Sequence, residues 1–99
     1  MAKFSAEQPD ADAIERYLRE EAGLGHLRTR RRGDLVIIES GPEEDPVPHA
    51  RLRRVAVHLW CLEMATHTGR WEPTPVRAQR DEVVRQLVED FGWVLSPCE

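Results

Sequence analysis

Four consecutive apolar residues, Leu35-Val36-Ile37-Ile38, constrain this chain more than any other segment. The run is β-branched apart from its leucine and too short for a helix, so it predicts the central, most buried strand of a sheet. His26 to Arg31 predicts a partner strand before it, and Leu35 to Ser40 delimits the central strand itself. Arg32-Gly33-Asp34 lies between the two, with Gly33 free to take positive φ. A chain of 99 residues has room for one such sheet and one core. Hydrophobic residues make up 40% and recur along most of the length, which excludes disorder throughout even though charged residues reach 32%.

A helix is expected on each side of the sheet. Ala11, Ile14, Tyr17, Leu18 and Ala22 recur at helical spacing over about residues 11–22, with Asp10 or Asp12 as N-cap and Gly23 as the stop. Thr74 as N-cap and Pro75 at the first helical position predict a second helix whose stripe is Val76, Val83, Val84, Leu87, Val88 and Phe91. Gly92 ends it, and Trp93, Val94 and Leu95 are expected to fold back over the core. Between the helices, Gly41 to Pro48 predicts an acidic, proline-containing loop. Leu52 to Met64 is long for one strand, which favours a hairpin turning near Ala56 to His58 over a single bent strand. Thr66 to Pro73 predicts a polar loop or short edge strand. The fold class is therefore α+β: a small antiparallel sheet of three to five strands, order α-β-β-β-(β)-α, with both helices on one face. Residues 1–99 form a single domain, with a flexible tail over residues 1–9.

Several kinds of chemistry find little footing. Met1 to Asp10 lacks the apolar run of a signal peptide, and no stretch approaches the roughly 18 apolar residues of a membrane span. Cys61 and Cys98 make no disulfide framework, which points to a reducing, cytoplasmic setting. His58 and Cys61, three apart on an extended strand, point to opposite faces, so with His26, His49 and His67 they predict no metal site. Ser5, Ser40 and Ser96 lack a nucleophile elbow, and Cys61 stands in an apolar run, the setting of a structural and not a reactive thiol. Asp34 and Glu39 are five apart, hence on opposite faces of a regular strand, and give no acid–base pair. No catalytic residue and no cofactor is expected.

Charge is more informative, because it is laid out in blocks. Residues 1–25 and 39–49 are net acidic, 26–38 and 50–54 net basic, and the remainder net acidic, for an overall −4. Arg28, Arg30 and Arg32 share one face of a strand, and Arg51 and Arg53 share a face of another. If those strands are neighbours, five guanidinium groups make a basic patch suited to RNA or DNA. The helix–sheet–helix order resembles that of double-stranded RNA-binding domains, and Gly41-Pro42 with His49 echoes a loop of that family. The lysine-rich clamp that opens the family's second helix is missing, since Val76 to Glu82 contains no lysine. Pairing of the arginines with Glu43, Glu44, Asp45 and other acids is the favoured expectation.

Protein binding is the leading expectation. Trp71 stands in a polar setting with His67 and Arg70, and Trp and Arg are the residue types most often found as interface hot spots. The sequence thus predicts a small non-enzymatic accessory or regulatory protein that binds a protein partner or a homodimer mate through His67, Arg70 and Trp71. The alternative is nucleic-acid binding through Arg28, Arg30, Arg32, Arg51 and Arg53.

Overall fold

The computed structural model describes residues 4–66 and 68–95. Five strands, β1 Arg28–Arg32, β2 Leu35–Ser40, β3 Val47–Ala56, β4 Leu59–Ala65 and β5 Trp71–Ala78, form one antiparallel meander in chain order. Helix α1, Gln8–Arg16, precedes the sheet and α2, Arg80–Phe91, follows it. The α+β fold expected from the sequence is the fold observed. Alternate residues of the strands, among them Val36, Ile38, Leu52 and Leu62, form one buried cluster with Ile14 and Leu18 and with Val83, Val84 and Leu87 of α2. Because these strand residues share one face of the pleat, both helices cover that face and the other is left open.

The strands sit close to where the sequence puts them. Gly33 takes φ +60° in the β1–β2 turn, and Val57-His58 turns the β3–β4 hairpin. Strand β2 is the most continuously buried, although β3 occupies the centre of the five. Strand β3 begins at Val47, inside the expected loop. Its register with β2 shifts so that Ile38 faces Ala50 while Glu39 faces Pro48. His49 is the extra residue of a bulge, a place where a neighbouring proline without an N–H is tolerated.

Three expectations are corrected. First, the tail is tied down before residue 9. Ala6 is fully buried and its N–H bonds the Gly33 carbonyl at 2.8 Å. Helix α1 starts at Gln8, with Glu7 as N-cap and the Asp10 carboxylate accepting the Glu7 N–H at 2.9 Å. Its last turn, Tyr17–Glu21, is π-helical and closes at Gly23, φ +72°.

Second, Thr74 and Pro75 do not open a helix. They belong to edge strand β5, where a missing N–H can face away from the sheet. The Thr74 hydroxyl donates to the Leu62 carbonyl (2.9 Å) and accepts the Val76 N–H (3.2 Å) where the β4–β5 register shifts. Val76 therefore enters the core from a strand, and α2 begins only at Arg80.

Third, Trp93 does not cover the core. Gly92–Leu95 is a 3₁₀ turn with Leu95 fully buried, and its period of three leaves Trp93 71% exposed. Two histidines fasten this turn. His26 Nε2 donates to the Leu95 carbonyl (2.7 Å) and His49 Nδ1 to the Val94 carbonyl (2.8 Å). With Nδ1 donating, neutral His49 accepts the Ser40 hydroxyl at Nε2 (2.7 Å). Burial lowers the His49 pKa; the Val94 bond works against this and His26 adds to it.

Candidate functional site: the open face of the sheet

Strand alternation and pairing arrange the open face in rows across the strands. At the hairpin end, Arg32, Leu35, Arg53, Cys61 and Arg77 succeed one another from β1 to β5. The middle row is Arg30, Ile37, Arg51, Glu63 and Pro73. At the opposite end Arg28 and Glu39 lie beside Pro48, and Trp71 pairs with Ala65 at the start of β5. Beyond this end is the loop carrying Glu43, Glu44 and Asp45.

The five predicted arginines do converge on one face. Four of them, Arg28, Arg30, Arg51 and Arg53, pair with acids of the sheet and its first turn and not with those of the acidic loop. Glu39, only 3% exposed, pairs with Arg28 (3.3 Å) and Arg30 (2.7 Å). Glu63 pairs with Arg51 (2.5 Å) and Arg53 (3.3 Å), and Asp34 with Arg53 (3.1 Å). Burial works to raise the Glu63 pKa, yet the hydrogen bonds from Arg51 and Arg53 outweigh it and hold this carboxyl below its usual range. Asp34 joins Glu63 on Arg53, and so serves the same face as Glu39 despite the odd spacing, because it lies in the turn and outside the strand alternation. Arg28 also donates to the Gly41 carbonyl at 2.6 Å, which tethers the acidic loop by its backbone. Among the described residues, Glu43, Glu44, Asp45, Arg32 and Arg77 make no ion pair.

The remaining side chains form a groove of about 380 Å³. Leu35, Ile37 and Glu39 make its floor, Arg30 and Arg32 one wall, Pro46 and Pro48 one end, and Arg51 with Trp71 the other wall. The Arg51 guanidinium stacks on the Trp71 ring, 4.3 Å from its centroid. Trp71 thus joins the arginine face, and the two candidate sites of the sequence partly merge. Arg70 stays exposed in the turn, its backbone N–H bonded to the Thr66 hydroxyl, and His67 lies outside the described residues. Leu35 and Ile37 stand in the sequence reading only as strand core, Glu39 only as half of a rejected acid–base pair, and Glu63 has no role in it. Alternation within β2 and β4 is the signal that carries them.

No group of three or more His, Cys, Asp or Glu side chains is placed to hold a metal ion among the described residues. No helix among them is long and apolar enough to cross a membrane. No protein-family model, curated protein or solved structure matches the chain.

Proposed function

We propose that this is a non-enzymatic accessory or regulatory protein that binds another protein molecule on the open face of its sheet. The observation that carries this is the groove, whose floor offers Leu35 and Ile37, whose wall is a Trp71–Arg51 stack, and whose Arg30 and Arg51 are held in place by Glu39 and Glu63. Such a surface suits a peptide that presents an apolar side chain next to a carboxylate. Pre-positioned guanidinium groups lose little freedom on binding. With Cys61 unpaired on that face, the cytoplasm is the proposed setting.

An array of immobilised peptides that vary in acidic and apolar content tests the proposal. Binding is expected to concentrate on peptides that combine the two, and to weaken about tenfold or more in Trp71→Ala. No binding to any peptide class by a folded, monomeric protein would sink it. The convergence of Arg28, Arg30, Arg32, Arg51 and Arg53 supports a second possibility, RNA or DNA, which the internal ion pairs disfavour. Filter binding at two salt concentrations separates them, since phosphate contacts weaken steeply with salt.

A further inference from the structure

The open face is electrically polar along its strands. At the hairpin end stand Arg32 and Arg77, neither with an ion pair among the described residues. At the other end the loop carries Glu43, Glu44 and Asp45, all exposed and likewise unpaired among the described residues. The two ends cannot satisfy each other within one molecule, because the length of the strands separates them. They can across a two-fold axis.

We propose that the partner of the open face is a second copy of this chain, packed face to face and turned end for end. This rests on the open face being a binding surface, as proposed above. The axis lies between the two sheets and runs across the strands, so it exchanges hairpin end for loop end while keeping each strand over its counterpart. Each acidic loop then lies over the Arg32 end of the other copy, and the contact occurs twice, as closed two-fold symmetry requires. A two-fold axis parallel to the strands would place acidic loop on acidic loop and arginine on arginine. Like charges exclude it. Leu35 and Ile37 at the centre of each face supply the apolar contact, with the sheets about 10 Å apart.

The edges of the sheet favour a face-to-face contact over strand addition. On β1 the Thr29 N–H is already taken by the Glu15 carboxylate at 2.8 Å, and β5 carries Pro73 and Pro75. Five strands about 4.8 Å apart give a face roughly 20 Å wide. An interface of that size makes a weak dimer whose population depends on concentration.

Sedimentation equilibrium of the full chain tests the arrangement. Wild type is expected to self-associate reversibly. Arg32→Glu and Glu44→Arg, both at exposed positions without ion pairs, should each weaken the dimer at least tenfold while leaving the thermal unfolding midpoint near wild type. An equimolar mixture of the two variants should dimerise again, because in the mixed pair both ends regain opposite charges. A wild type that stays monomeric at the highest attainable concentration overturns the second copy as partner. So does a dimer that neither reversal weakens, or a mixture that fails to recover. If a monomeric wild type still binds acidic-apolar peptides, the open face remains a protein-binding surface. If it binds none, both proposals fall.

Discussion

Glu63 holds two arginines at once, and its removal has a readable consequence. Glu63→Gln leaves Arg51 and Arg53 side by side with only a neutral acceptor between them, and should cost about 1–2 kcal/mol in urea unfolding at pH 7. Its folded pKa lies below 4.5. The unfolded chain therefore takes up this proton more readily, and the stabilisation is present above 4.5 and lost as pH falls through the folded value. The Gln variant should lack that part of the acid limb. His49 acts in a higher window. Burial sets its folded pKa below 6.5, so its contribution is complete above 6.5 and declines below it until the folded pKa is passed. Unfolding midpoints from pH 8 to 5 should fall in wild type and flatten over this window in His49→Gln, measured against the Gln variant's own midpoint at pH 8.

At the scale of elements, β5 is the informative case. Thr74→Val removes a hydroxyl that serves both the Leu62 carbonyl and the Val76 N–H, and should cost about 1 kcal/mol in chemical denaturation. Pro73→Val with Pro75→Val should leave the unfolding midpoint nearly unchanged but restore donors along an exposed edge. Light scattering on standing should then rise. This strand also shows the limit of local sequence signals. Thr-Pro before an apolar stripe has the chemistry of a helix start, yet the open edge of β4 needs a partner, and eight residues of β5 supply it. By contrast β2 and the β3–β4 hairpin were legible, because their apolar alternation and turn residues agree with their tertiary surroundings. The arginine face was half legible. Alternation placed Arg28, Arg30 and Arg32 together and Arg51 with Arg53, but that Glu39 meets Arg28 and Arg30, and Glu63 meets Arg51 and Arg53, follows from cross-strand register, which links residues far apart in sequence.

The whole molecule depends on one core and has little stability to spare. Leu52 is fully buried in the central strand beneath both helices, so Leu52→Ala should cost about 2–5 kcal/mol. Against a domain stability of roughly 5–15 kcal/mol, this should lower the thermal midpoint by many degrees within a single cooperative transition seen by circular dichroism. The fold also distributes its three tryptophans over three settings: Trp60 is 2% exposed, Trp93 is 71% exposed, and Trp71 lies half-buried under Arg51. Each indole therefore emits from a different medium, and the chain carries its own optical gauges. Trp60 shifts to the red when the core opens, whereas Trp93 already emits from water and barely moves. With both replaced by phenylalanine, Trp71 becomes the sole emitter. Its colour would then report, without any attached dye, whether the groove is empty or filled.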